Sequence, residues 1–192
     1  DGGKMSKSLG NVYTLQDILD RGFELDAYKL FVLSKHYTTE GNFTWENLEA
    51  SQNRLKKWGN VVALKYQAAT INTTVKTALQ EAPRELKAHL SNNLSTPEAV
   101  SYVDEVLDLV ENGMSQEETP LFSAFVAEVD SLLGLHLSKI EDISDEQKEL
   151  LENRHLARSK KDWVKSDEIR DLLEKQGIGV RDAQHGQVWY RI

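Results

Sequence analysis

The chain has 192 residues, 40% of them hydrophobic and 28% charged, and its formal net charge is −8 at pH 7. This composition is typical of a globular protein with one or two domains, and no apolar run approaches the roughly 20 residues that a membrane-spanning helix needs. The acidic balance argues against indiscriminate nucleic-acid binding. The lack of cysteine excludes disulfides and thiolate metal sites, and the five scattered histidines have no ligand spacing, so we predict no metal in this chain.

The first feature in chain order is a short loop, GKMSKSLG, at positions 3–10. Its Lys4 and Lys7 supply positive charge where a phosphate leaving group builds up negative charge. Its Ser6 and Ser8 hydroxyls can donate hydrogen bonds to phosphate oxygens. The pattern therefore predicts a loop that closes over a polyphosphate; the alternative is a solvated N-terminal tail.

Helix start signals follow at once. Thr14 is placed to cap a short helix over 15–20, and Asp26 is placed to cap the next helix. Thr44 is expected to cap a long helix that begins at Trp45, in which apolar residues recur at three- and four-residue steps.

The helical pattern continues to about residue 138. A helix is expected over 75–90, although Pro83 should break it or restart it. Ser95 begins another helix, and Pro120 begins a last one that ends near Gly134. Long amphipathic helices joined by short polar loops predict a mainly α fold built on an antiparallel helical bundle.

Beyond residue 138 the pattern changes from amphipathic helices to polar helices followed by a hairpin. A polar helix is expected over about 144–160, a second over 163–176 after a cap at Asp162, and a β-hairpin over 180–192. The hairpin and the two helices predict a small α/β module. We therefore divide the chain into the loop 1–11, the bundle 12–138 and the module 139–192.

The sign of the charge reverses within this module. Residues 141–153 hold six acids and one base, whereas residues 154–170 hold six bases and three acids. A local basic patch on an acidic protein can meet one structured RNA. Its residues Arg154, Arg158, Lys161 and Lys165 would share one helical face, unless the cap at Asp162 divides them between two helices.

The loop GKMSKSLGN resembles the nucleotide-binding loop of class I aminoacyl-tRNA synthetases. Further segments are similar to cysteinyl-tRNA synthetases in particular: DAYK at 26–29, LSKHY at 33–37, NFTWENL at 42–48, NNLSTPEA at 92–99, ARSKKDW at 157–163 and DEIRD at 167–171. On these segments the chain is identified as a member of that family, specifically its C-terminal portion starting at the KMSKS loop. The resemblance implies a DALR-type helical bundle followed by an anticodon-binding module.

The resemblance also implies site residues. ATP, a substrate, would be contacted by the loop residues Lys4, Ser6, Lys7 and Ser8, with Lys4 and Lys7 supporting catalysis. The family's anticodon contacts fall on Arg158, Trp163, Asp167 and Asp182. Contacts to the tRNA backbone are expected from Arg154, Lys161 and Lys165.

The residue types of the anticodon set suit this task. An indole gives an unstacked base a stacking surface worth roughly 1–3 kcal/mol, and carboxylates accept hydrogen bonds from the amino groups of bases. Trp163 could instead be a core aromatic residue at a helix start. The other tryptophans, Trp45, Trp58 and Trp189, lie in apolar patterns and are expected in the core.

The function implied is that of a ligase that joins cysteine to its tRNA with ATP, as a cytoplasmic monomer without a membrane partner. The family's zinc would belong to an N-terminal catalytic domain that this chain lacks, and the fragment alone should be inactive. One alternative is a related enzyme that ligates cysteine in thiol biosynthesis, although it would not need an anticodon-binding module. The other is a non-catalytic helical interaction module.

Overall fold

The structure, a computed structural model, describes residues 6, 10, 12–67, 75–183 and 186–192. These residues form eight α-helices, three short 3-10 turns and one β-hairpin. The α-helices are α1 (Leu15–Asp20), α2 (Leu25–Leu33), α3 (Trp45–Val62), α4 (Lys76–Ser91), α5 (Thr96–Asn112), α6 (Thr119–Leu133), α7 (Asp145–Ser159) and α8 (Trp163–Lys175). The strands are β1 (Ile178–Ala183) and β2 (Gly186–Arg191), paired antiparallel. The expected fold class, a mainly α chain with a C-terminal hairpin, is confirmed.

The predicted helix caps at Thr14, Thr44 and Asp162 are confirmed, whereas Ser95, at the start of α5, makes no side-chain cap. The Thr14 hydroxyl accepts from the N–H of Asp17 at 3.2 Å, and the Asp17 carboxylate accepts from the N–H of Thr14 at 2.6 Å. Thr44 accepts from an N–H of α3, and Asp162 from an N–H of α8, both at 3.1 Å. Each bond satisfies a backbone donor that a helix leaves unpaired at its start.

The predicted cap at Asp26 is wrong. The residue before α2 is Glu24, which makes no side-chain cap, and Asp26 lies in the first turn. Its carboxylate instead lies 2.8 Å from Lys29 Nζ and 2.9 Å from His136 Nδ1. Lys29 also donates to the carbonyl of Gly134 at 2.8 Å, so these contacts join α2 to the end of α6.

The expectation that Pro83 breaks or restarts its helix is also wrong, because α4 passes through it without interruption. Proline removes one N–H donor and disfavours a helix interior. The cost is offset by tertiary packing: Leu79, Ala82 and Leu86 on this helix are 2%, 0% and 0% exposed. Their burial against the rest of the bundle core holds the helix on both sides of the proline.

The buried residues form two clusters along the chain. The larger cluster runs from Ile18 to Leu137 and fills the bundle, with Trp58, Phe122 and Phe125 among its most completely buried side chains. The smaller one joins Ala63 to α7, α8 and the hairpin. Along the chain, the larger cluster ends at Leu137 and the smaller one continues from Ile143, close to residue 138, where the sequence pattern changes. The domain boundaries themselves remain a prediction.

Two side-chain amides hold the hairpin against the bundle. Gln67 accepts from the N–H of Trp189 at 2.9 Å and donates to its carbonyl at 3.0 Å. Asn60 does the same for Arg191, at 2.9 and 3.2 Å. These bonds satisfy backbone groups of β2 that face away from β1, so the free edge of the two-stranded sheet is paired with bundle side chains.

Helix α5 carries ion pairs to both the bundle and the hairpin. Three acids on α5 each meet a base: Asp104 pairs with Arg54, Asp108 with Lys57 at 2.8 Å, and Glu111 with Arg181 of β1 at 2.7 Å. The acids are spaced four and three residues apart and so occupy one face of the helix. The last pair reaches from the bundle to the module, which fixes the hairpin at a second place.

Candidate nucleic-acid interface

The corner between α7 and α8 presents the predicted interface residues. Lys161 has a φ of 61°, in the left-handed region, and the N–H of Asp162 donates to the carbonyl of Ala157 at 2.9 Å. This is the Schellman arrangement that ends a helix, here with lysine where glycine is usual. The predicted basic stripe is therefore divided between the two helices by the cap at Asp162.

Three of the four predicted anticodon residues converge beside this corner. Arg158, near the end of α7, places its Nη2 2.9 Å from an oxygen of Asp182 on β1. Its guanidinium carbon lies 5.4 Å from the ring centroid of Trp163, the first residue of α8. The arginine thus stands between the indole and the carboxylate, although the three residues come from three separate elements.

These side chains are accessible. Trp163 is 54% exposed, which does not support the alternative that it belongs to the core, and the Asp182 side chain is 53% exposed. By contrast, Trp58 and Trp189 are 1% and 5% exposed, as expected for core residues, and Trp45 is half-buried against Tyr13, Phe43 and Arg21. An exposed indole beside an arginine offers a surface on which a base can stack.

Asp167, the fourth predicted anticodon residue, lies one turn along α8. It follows Trp163 by four residues and so lies on the same side of the helix. Its side chain is 71% exposed and makes a 3.7 Å ion pair with Arg170. It therefore lies one helical turn from Trp163, and its ion pair is with Arg170 rather than with Arg158.

Arg154 needs a correction, because its side chain does not face solvent. It is only 3% exposed and points toward the hairpin, where its Nη1 lies 2.7 Å from Gln187 Oε1 and 3.4 Å from Asp182 Oδ1. Arg154 precedes Arg158 by one helical turn, deeper beneath β1. A guanidinium enclosed in this way cannot contact a phosphate, so the expected tRNA-backbone contact is not supported.

The two other predicted backbone contacts remain accessible. Lys161 is exposed on the turn between the helices, and Lys165 is exposed in the first turn of α8. Together with Arg158 they place positive charge around Trp163, on a protein whose net charge is negative. With Arg154 buried, these three bases are the accessible part of the expected basic patch, and their contact with RNA remains a prediction.

The ATP-binding prediction lies almost wholly outside the described residues. Lys4, Lys7 and Ser8 are not described, and Ser6, which is half-buried, does not test the assignment. Within the described part of the chain, no group of three or more His, Cys, Asp or Glu side chains could hold a metal ion. Among the described helices, none combines the length and apolar character of a membrane span.

One residue of this region was not found by the sequence reasoning. Gln187 lies directly opposite Asp182 in the hairpin register and accepts the shorter of the Arg154 hydrogen bonds. The signal was available in principle, because a hairpin with a short turn fixes which residues face each other. The depth of Arg154 beneath that pair was not available without the packing of α7.

Two family models match parts of this chain. A family model described as the cysteinyl-tRNA ligase anticodon binding domain matches residues 141–189, which include the whole convergent group. A second, described as the tRNA synthetases class I (C) catalytic domain, matches residues 1–53. Both descriptions point to the class I tRNA synthetases.

Individual relatives can be aligned with nearly the whole chain. Cysteine–tRNA ligases of Chlamydia trachomatis serovar A and Chlamydia felis are each 30% identical over 97% of the chain, and that of Magnetococcus marinus is 30% identical over 98%. The chain covers 43%, 41% and 43% of these relatives, which is less than half of their length. The chain is therefore similar to cysteine–tRNA ligases along nearly all of its own length.

Proposed function

We propose that this chain is the tRNA-binding and anticodon-recognising part of a cysteine–tRNA ligase, an enzyme that joins cysteine to its tRNA using ATP. The observation that carries the proposal is the convergence of Arg158, Trp163 and Asp182 on one exposed corner, within the segment that matches an anticodon-binding domain. The names of the relatives support the choice of amino acid.

The chemistry of the corner suits an unpaired RNA loop. The exposed Trp163 ring can stack on a base, and the neighbouring guanidinium of Arg158 can donate to a base edge or a phosphate. Carboxylates such as Asp182 and Asp167 accept from the amino groups of bases and have no attraction for phosphate, so their contribution is to selectivity. Lys161 would add the phosphate attraction that such a site needs.

Binding of the chain to cysteine tRNA tests the proposal. We expect Trp163→Ala to weaken binding by roughly 1–3 kcal/mol through lost stacking. Val164→Ala is the matched control, since Val164 is adjacent, apolar and 72% exposed. Affinities would be measured by filter binding at a fixed salt concentration, with a tRNA of different anticodon as competitor.

Two results would contradict this assignment. If Trp163→Ala and Val164→Ala bind equally well, the indole has no role in binding. If footprinting of the complex protects only the acceptor stem, the corner does not contact the anticodon; if the chain binds no tRNA at all, a non-catalytic helical interaction module becomes the better description.

We also propose that Lys4, Ser6, Lys7 and Ser8 contact ATP. Ammonium groups that stabilise charge developing on pyrophosphate act mainly in the transition state. In a full-length ligase that contains these residues, Lys7→Ala should lower kcat for adenylate formation by on the order of 10²–10³ with little change in cysteine affinity. An unchanged kcat in pyrophosphate exchange would remove Lys7 from catalysis.

The remaining parts of the proposal follow from the family. We propose that the enzyme acts in the cytoplasm as a monomer. We also propose that its zinc is held by a catalytic region that corresponds to the part of the relatives outside the match to this chain. The chain alone should not catalyse cysteine-dependent pyrophosphate exchange, because a bound cysteine and an aligned ATP need more than one loop. Light scattering would test the monomer, and exchange above a no-enzyme control would contradict the inactivity.

A further inference from the structure

A buried arginine lies directly beneath the hairpin residue that we propose to contact the anticodon. Arg154 is 3% exposed, and its Nη1 lies 2.7 Å from Gln187 Oε1 and 3.4 Å from Asp182 Oδ1. Asp182 on β1 and Gln187 on β2 are opposite each other in the strand register. One guanidinium therefore contacts both members of a cross-strand pair.

Stability alone gives little reason for an arginine at this position. Removing a guanidinium from water is costly, and replacing a buried ion pair by well-packed apolar residues is often neutral or stabilising. Here the cost is not fully offset, because the buried Nε of Arg154 has no hydrogen-bond partner among the residues that the structure describes. Positions at which a protein breaks such a local rule are commonly functional.

The contacts of Asp182 indicate what the arginine does. Its two oxygens are held by two different residues, Oδ1 by Arg154 at 3.4 Å and Oδ2 by Arg158 at 2.9 Å. A carboxylate can accept at about four lone-pair positions, so acceptor capacity remains for a ligand. With the side chain 53% exposed and held from both sides, that capacity points in a fixed direction.

A fixed acceptor discriminates between bases better than a rotating one. An oxygen that can turn to meet different donors accepts several base edges, whereas a preorganised oxygen accepts only the donor placed in its path. The two arginines also leave the group of Arg154, Arg158 and Asp182 with a net positive charge, which does not repel RNA. Arg154 contributes to this without reaching the surface.

We propose that Arg154 is a positioning residue: it fixes the carboxylate of Asp182 so that this carboxylate distinguishes anticodon bases, and it does not itself touch RNA. The proposal rests on the proposed function, in which Asp182 contacts the anticodon. It also accounts for the burial of a residue whose place in a basic segment predicted a phosphate contact.

The test measures discrimination by the complete chain. The discrimination ratio is the Kd for transcripts that carry a single-base change in the anticodon divided by the Kd for cysteine tRNA. Arg154→Met removes the charge and keeps an apolar side chain of similar length. We expect it to lower the ratio of the two Kd values by about tenfold in a chain that still unfolds cooperatively.

The matched control is Arg181→Met. Arg181 precedes Asp182 on the same strand, but it is paired with Glu111 of the bundle and is 53% exposed, so its loss removes equal charge without releasing the carboxylate. Its discrimination ratio should equal that of the unchanged chain. If both arginine variants lower the ratio equally, net charge rather than positioning is responsible, and the proposal is overturned.

A double-mutant cycle separates the positioning role of Arg154 from the anticodon assignment of Asp182. If Arg154 acts through Asp182, then Arg154→Met should lower the ratio no further in an Asp182→Asn background. A folded Arg154→Met variant that keeps full discrimination, while Asp182→Asn loses it, overturns the positioning role alone. If Asp182→Asn itself leaves the ratio unchanged, the anticodon assignment of Asp182 fails and the positioning role fails with it.

A second variant covers the case in which Arg154→Met does not fold. Gln187→Leu removes the acceptor that holds Arg154 and leaves the charge pair in place, so it should lower the ratio by about threefold. An unchanged ratio in a folded Gln187→Leu variant would overturn the proposal in that case.

Discussion

The bundle and the C-terminal module contain the same three chemical groups in similar geometry. In the bundle, the guanidinium carbon of Arg54 lies 5.5 Å from the Trp58 ring centroid, and Arg54 pairs with Asp104. In the module, Arg158 lies 5.4 Å from the Trp163 centroid and pairs with Asp182. The main difference is burial, because Trp58 is 1% exposed and Trp163 is 54% exposed.

This difference separates a structural group from a binding group. The indole N–H of Trp58 donates to Asp104 at 2.6 Å, and the Trp58 ring itself lies in the bundle core, so this indole has no accessible surface for a ligand. The Trp163 ring has an accessible surface, and its arginine and carboxylate neighbours are partly exposed. The same residue types therefore stabilise a core in one place and can meet a ligand in the other.

The largest expected effect is on the free energy of unfolding. Trp58→Ala should lower it by about 3–5 kcal/mol, because a large cavity replaces a fully buried indole, whereas Trp163→Ala should change it by less than about 0.5 kcal/mol. Urea unfolding followed by circular dichroism measures both. Equal losses would show that Trp163 is a structural residue.

The two carboxylates should separate in the same way. Asp104→Asn is expected to cost about 1–3 kcal/mol of stability, since it weakens two charge-assisted hydrogen bonds, but discrimination between anticodon variants should be unchanged. Asp182→Asn should relax that discrimination. Both variants would be measured by urea unfolding and by competition binding. Loss of discrimination in Asp104→Asn would contradict the division of roles.

The bundle should also respond to acid through Asp26. Burial raises the pKa of this carboxyl, but hydrogen bonds from Lys29 and His136 outweigh it and hold the pKa below its usual value. A lowered pKa stabilises the fold above about pH 4, and this contribution is lost as the pH falls through the folded-state pKa. The effect should be less than about 1 kcal/mol because the pair is partly solvated.

Thermal unfolding between pH 6 and pH 3 tests this expectation, with Asp26→Asn as the comparison. The variant should be less stable than the unchanged chain near pH 6, and the two should converge toward pH 3. A difference that stays constant over this range would mean that the contribution of Asp26 does not depend on its charge.

The smallest expected effect concerns Lys161. Lys161→Gly removes one charge and relieves the left-handed backbone, so stability should hold while affinity for all tRNAs falls a few-fold and the salt slope decreases by roughly 0.9. The control is Lys148→Ala, because Lys148 lies in the acidic segment and pairs with Asp142 at 2.7 Å. A change confined to cysteine tRNA would assign a base contact to Lys161.

The features that the sequence determined by itself are local ones. The caps at Thr14, Thr44 and Asp162 depend on a side chain and a backbone group three residues away. Such bonds form within one turn of chain, so residue order is enough to predict them. The hairpin and the acidic-to-basic reversal are also local features that residue order is enough to predict.

Only the tertiary structure decided the features that depend on packing between distant elements. Pro83 lies in an unbroken helix because neighbouring helices bury its apolar face, and Asp26 pairs across the bundle instead of capping. Arg154 and Arg158 have the same charge and lie one turn apart, yet the hairpin packed on α7 buries the first and leaves the second partly exposed to solvent. Burial depends on which surfaces come together, and spacing along one helix does not contain that information.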